Sequence, residues 1–111
     1  MSEGRALCYL IEMIVAPLSS GSAGNAYWFE SEGTAILVDA GLGTRETKKR
    51  LVALERDIDK LTAIVVTHEH SDHIHGAERL ARKYQVPIYL TQGTLDNSRI
   101  DPDETKTVMF K

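Results

Sequence analysis

The stretch Thr67-His68-Glu69-His70-Ser71-Asp72-His73-Ile74-His75-Gly76 holds all four histidines of the 111-residue chain. So many imidazoles beside a carboxylate point to metal chemistry before any fold is considered. On extended backbone, side chains two residues apart share a side, about 7 Å apart at Cα, so His68 and His70 can reach one ion. Asp72 and His73 are adjacent and diverge. As the chain bends into a helix they can face a second ion at the ~3.5–4 Å separation of two-metal hydrolytic sites. Imidazole nitrogen and carboxylate oxygen suit Zn²⁺, with Mn²⁺ or Fe²⁺ as competitors. Glu69 alternates away from its neighbours and reads as non-ligating; His75, beyond the ligand set, reads as solvated or at a substrate edge.

Working outward, Ala63-Ile64-Val65-Val66 is a continuous apolar run, as expected of a strand buried on both faces, and it delivers the histidines at its carboxyl end. After Gly76, residues Ala77, Leu80, Ala81 and Tyr84 recur at helical spacing, which predicts a helix packed on the same sheet. Pro87 then resets the chain for a short strand, Ile88 to Leu90. Upstream, Thr34 to Val38 reads as a strand with Asp39 at its carboxyl end, where α/β proteins gather chemistry. Thr44 can cap a following helix with Glu46 in its first turn, and Leu51, Leu54 and Ile58 make one apolar stripe.

Farther out, Met13 to Leu18 and Tyr27-Trp28-Phe29 read as strands, separated by the Ser/Gly-rich turn Ser19 to Gly24 and followed by the turn Ser31-Glu32-Gly33. Trp28 is assigned to the core. Thr91 to Ser98 starts another helix, weakened by Gly93. Ile100 to Glu104 is polar loop, and Thr105 to Phe110 alternates like a last strand.

The chain is 42% hydrophobic and 26% charged, enough for one small core and not for two domains. A net charge of −3 does not advertise nucleic-acid or membrane binding, and the short clusters Lys48-Lys49-Arg50 and Arg79, Arg82, Lys83 read as solvated helix faces. The single cysteine, Cys8, excludes an internal disulfide and fits a reducing compartment. Ala6 to Ile11 is apolar but short and flanked by Glu3 and Glu12, so neither a signal peptide nor a membrane span is expected and the cytoplasm is the default.

The pattern Thr-His-x-His-x-Asp-His-x-x-Gly at Thr67, His68, His70, Asp72, His73 and Gly76 resembles the signature of the metallo-β-lactamase superfamily. Leu18-Ser19-Ser20-Gly21-Ser22-Ala23-Gly24-Asn25 is similar to a turn in the branch of bacterial exonuclease-like proteins and phosphoribosyl cyclic phosphodiesterases. Leu37-Val38-Asp39-Ala40-Gly41 resembles the strand end that precedes the metal motif. The resemblance runs from about Met13 to about Asn97 and corresponds to the first part of the family domain. It implies the amino-terminal half of a four-layer αββα metallo-β-lactamase sandwich, a mixed β-sheet flanked by helices, over residues 13–111, with 1–12 an extension. It implies too that His68 and His70 ligate the first of two divalent ions, most simply zinc, and Asp72 and His73 the second, Asp72 being also counted as catalytic. Asp39 either caps the turn to Gly41 or, as the resemblance favours, stands behind the ligands to orient a histidine or brace the loop.

Family members add a histidine to each metal and a bridging aspartate from later segments, whereas no histidine follows His75 here. Each ion would hold two ligands from this chain, where a catalytic zinc usually has three plus water. The resemblance implies a hydrolase of phosphodiesters, in nucleic acid or a cyclic sugar phosphate, with this chain supplying the amino-terminal part and the carboxyl-terminal half missing. A glyoxalase-like thioester hydrolase is the runner-up. A redox di-iron role is disfavoured, because that branch carries glutamate where this chain has His70. A third reading is a non-catalytic metal-binding module that self-assembles into a homo-oligomer through an exposed sheet edge.

Overall fold

The computed structural model describes residues 13–19, 25–67, 71–91, 93–94 and 106–109, with backbone alone at 71–75 and 109. The extension 1–12, most of the Ser/Gly turn, His68 to His70 and the polar stretch Ile100 to Glu104 lie outside these residues. So does the stretch from Gln92 to Ser98 that follows Thr91, apart from Gly93 and Thr94, which are helical.

Strands β1 (Ile14–Ser19), β2 (Ala26–Ser31) and β3 (Thr34–Ala40) form an antiparallel meander. The β2–β3 loop is two residues, Glu32 and Gly33, with φ of 52° and 80°. Positive φ at both central positions matches the right-handed twist of the flanking strands. From β3 onward the sheet is parallel: β4 (Leu61–Val65), β5 (Ile88–Leu90) and β6 (Thr107–Met109) add in chain order to a mixed six-stranded sheet. Parallel neighbours need crossovers. Helix α1 (Thr44–Ala53) makes the one from β3 to β4, and α2 (Ser71–Tyr84) the one from β4 to β5. The order strand, helix, parallel strand is that expected of an α/β chain.

The inward face of the sheet carries Ala16, Leu18, Trp28, Leu37, Ile64 and Ile88, all buried, against Leu51 of α1 and Ala77, Leu80 and Ala81 of α2. Glu30 also points inward and is buried. Its Oε1 accepts the Trp28 indole N–H at 2.9 Å, while Arg56 and Lys60 lie 3.5 and 3.6 Å from Oε2. A buried carboxylate is tolerated here because a neutral donor and two cations meet it.

Several expectations are corrected. Gly43, not Thr44, is the N-cap of α1, and no side chain caps it. The buried side of α1 is Thr47 and Leu51; the Thr47 hydroxyl satisfies itself on the Gly43 carbonyl at 2.9 Å. Leu54 does not continue the stripe but closes the helix, about half exposed, and Ile58 is buried from a separate 3₁₀ turn, Ile58–Lys60. The cause is a Schellman ending: Glu55 has φ of 59°, its amide bonds Val52 O, and the Arg56 amide bonds Leu51 O. Arg50 is partly exposed but not free, since it donates to Glu46 at 3.0 Å and to the Leu18 carbonyl on β1. Within the run Ala63 to Val66 only Ile64 and Val66 are fully buried; Ala63 and Val65, on the other face, are half-buried.

Candidate metal centre

β3 and β4 finish side by side, with Val38 paired to Val65. At the end of β3 a bulge intervenes, since Ala26 pairs with Ala40 but Tyr27 with Val38, leaving Asp39 as the extra residue. Its φ of 59° is left-handed, a region that aspartate enters more readily than most side chains. Bulges re-aim side chains, and this one turns the carboxylate inward to 3% exposure. Oδ1 accepts the Thr67 amide at 2.8 Å and Oδ2 accepts the Thr67 hydroxyl at 2.5 Å. Both oxygens therefore fix the residue immediately before His68. The Gly41 amide donates to the Asn25 carbonyl at 2.9 Å, tying the entry of β2 to the same turn.

The far end of the motif is seated on the same strand end. α2 starts at Ser71, so the backbone of Asp72 and His73 forms its first turn. At Gly76 the helix presses on β3 and its exit: a Cβ there would stand 2.3 Å from the Ala40 carbonyl oxygen and 3.0 Å from that of Leu42. Only glycine permits this approach. The carboxyl end of β3 thus holds the motif twice, at Thr67 through Asp39 and at Gly76 through Ala40.

His68, Glu69 and His70 lie outside the described residues, and the side chains of Asp72, His73 and His75 are likewise not described. Among the described residues no three His, Cys, Asp or Glu side chains gather as a metal-binding group. The donor set itself, imidazoles and a carboxylate, suits a borderline divalent ion. Its two ends are anchored at one strand terminus, so the residues fit a metal at this place. In the sequence Thr67 and Gly76 stand out only as signature positions. The available signal for Gly76 was a glycine inside a helical pattern, which usually has a packing reason.

The fold and this motif define a class: the chain belongs to the metallo-beta-lactamase superfamily, which its residues 20–110 match. Among particular proteins, it is 44% identical over 85 residues to exodeoxyribonuclease WalJ of Streptococcus pneumoniae, an alignment covering 74% of this chain and 32% of that protein. It is also 44% identical over 77 residues to exodeoxyribonuclease YycJ of Bacillus anthracis, covering 69% and 29% respectively. The chain therefore spans about a third of the length of these relatives. A structure of the chemotaxis sensor ODP, in a peroxy diiron species, superimposes with a TM-score of 0.70 over 90% of this chain and 41% of that one. At 18% identity that likeness shows the fold alone. No helix among the described residues is long and apolar enough to cross a membrane.

Proposed function

We propose that this chain carries the amino-terminal part of a metal-dependent phosphodiesterase site acting on nucleic acid, in the cytoplasm. The observation that carries the reading is the double anchoring of the His-x-His-x-Asp-His segment on the end of β3, in a chain whose relatives at 44% identity are named exodeoxyribonucleases. His68 and His70 hold one divalent ion and Asp72 and His73 a second, zinc or manganese by donor chemistry. When bound, such a pair of ions would supply a water of lowered pKa and positive charge against phosphorus oxygens.

The chain's own residues do the positioning. Asp39 holds Thr67, which sets where the backbone leaves β4 and so where His68 begins. Gly76 lets the first turn of α2 descend onto Ala40, which sets the height of Asp72 and His73 above the sheet. No histidine follows His75, so each ion would need ligands beyond its pair to reach the three that a catalytic zinc usually has.

Metal content per chain after exhaustive dialysis tests the reading, on wild type and on His68→Ala/His70→Ala. Zinc or manganese taken up by wild type, with weak retention, and lost in the variant is the expected result. Uptake that the variant leaves untouched would sink the ligand assignment. Hydrolysis of a thioester but not of a 5′-phosphorylated oligodeoxynucleotide, by the chain joined to the remaining ligands, would replace the phosphodiesterase with the glyoxalase-like reading.

A further inference from the structure

The two basic clusters meet in space. An open groove of about 560 Å³ between α1 and α2 is lined by Thr44, Arg45, Lys48, Lys49 and Val52 of the first helix and by Lys83 of the second. Arg45, Lys48, Lys49 and Val52 stand at i, i+3, i+4 and i+7, a single face of α1 opposite the buried Thr47 and Leu51. From Arg45 to Lys49 this face rises about 6 Å.

Most other cations of the described fold are neutralised, and Arg79 and Lys106, which are not, stand outside this groove. Arg50, Arg56, Lys60 and Arg82 each face a carboxylate. Among the described residues no carboxylate pairs with Arg45, Lys48 or Lys49, and Lys83 lies only over the Tyr84 ring, 5.7 Å from its centre. The chain has 16 acidic and 13 basic side chains. With acids in excess, four cations gathered in one groove without a counter-charge leave a local positive field in an acidic chain. The groove also starts at the right end of the molecule, because Thr44 and Arg45 open α1 only a few residues past Asp39 and the end of β3.

We propose that this groove is a contact surface for the phosphodiester backbone of single-stranded DNA, outside the metal site, holding a strand whose end lies at the histidine motif. The proposal rests on the phosphodiesterase reading. Arg45, Lys48, Lys49 and Lys83 contact successive phosphates, and the exposed Val52 with the lysine stems supplies a surface without base preference. The occupant is a polymer and not a small anion because the groove is open, and its charges are strung along a helix instead of converging on a point.

The test is fluorescence anisotropy of a labelled single-stranded oligodeoxynucleotide with the 111-residue chain in EDTA, between about 50 and 200 mM salt, where affinity reports phosphate contacts. Lys48→Ala/Lys49→Ala/Lys83→Ala is compared with Lys106→Ala, outside the groove. Alanine is the best helix former, so the triple variant keeps its helices, and circular dichroism verifies this. The triple variant is expected to bind at least about tenfold more weakly and to lose about two units of the salt slope, at ~0.7 per phosphate contact. Lys106→Ala stays within about twofold. No binding by wild type, an unchanged triple variant, or an equal loss in Lys106→Ala overturns the proposal. So does a triple variant that keeps DNA affinity and loses only binding to phosphatidylserine vesicles, which would make the groove a membrane contact. Lysine-dependent binding by this chain, with no metal-dependent hydrolysis of the oligodeoxynucleotide once the remaining ligands are joined to it, would overturn the phosphodiesterase and leave the surface standing.

Discussion

Asp39 does three things that few residues combine: it occupies a left-handed bulge, it is short enough to keep its carboxylate beside the backbone, and it offers two acceptors to one residue. An asparagine at this position would keep the backbone and one acceptor for the Thr67 amide, so Asp39→Asn is expected to cost about 1 kcal/mol. Asp39→Ala loses both hydrogen bonds to a charged acceptor and places a Cβ-bearing residue without local compensation at φ of 59°, for roughly 3 kcal/mol. Urea denaturation of the two variants checks this ordering, and equal losses would mean that the bulge, not the carboxylate, sets the stability. Asp39 was legible in the sequence as a strand-end carboxylate. Its partner was not, because Thr67 is 28 residues away and comes within reach only once β3 and β4 are known to be parallel neighbours with Val38 beside Val65. Glu30 was illegible for a related reason: a carboxylate at an inward position of β2 reads as outward until the Trp28 indole, Arg56 and Lys60 are seen to converge on it.

Among the elements, α2 is the one whose position decides the site, and its seating depends on a missing side chain. A glycine-to-alanine change inside an exposed helix ordinarily stabilises by about 1 kcal/mol. At Gly76 the new Cβ would meet backbone carbonyl oxygens, which cannot swing aside as a side chain can. Gly76→Ala is therefore expected to destabilise by ~1–3 kcal/mol, the cost of overpacking, and to weaken metal uptake by lifting Asp72 and His73 off the end of β3. A raised denaturation midpoint would show that the helix rides clear of Ala40. The strands were legible as short apolar runs between turn signals, and α2 because its apolar residues recur at a period near 3.6. The end of α1 was not: Leu51, Leu54 and Ile58 keep the period, yet Glu55 takes a left-handed C′ position that glycine more commonly fills. Nothing in the composition there announces a stop.

At the scale of the whole molecule, the sheet has two unequal faces. One is sealed by α1 and α2. On the other, Tyr27, Phe29, Ile36, Val38, Val65 and Tyr89 are apolar or aromatic yet only half-buried, and Tyr27–Val38–Val65–Tyr89 is a continuous row across four strands. In an αββα sandwich this is the face on which a second sheet sits, and the chain spans about a third of its relatives' length. A contiguous apolar surface of this kind is where hydrophobic dyes and partners bind. The chain is therefore expected to bind anilinonaphthalene sulfonate while fully folded, with the near-UV signal of the buried Trp28 intact, which separates it from a molten globule. Phe29→Thr/Ile36→Thr replaces one cross-strand pair on that face with residues that still favour strands, so it should lower the dye fluorescence and leave the Trp28 signal in place. Dye binding unaffected by the pair would put the exposed apolar surface elsewhere. Loss of the Trp28 signal in wild type would mean that the helical face alone does not hold the sheet together.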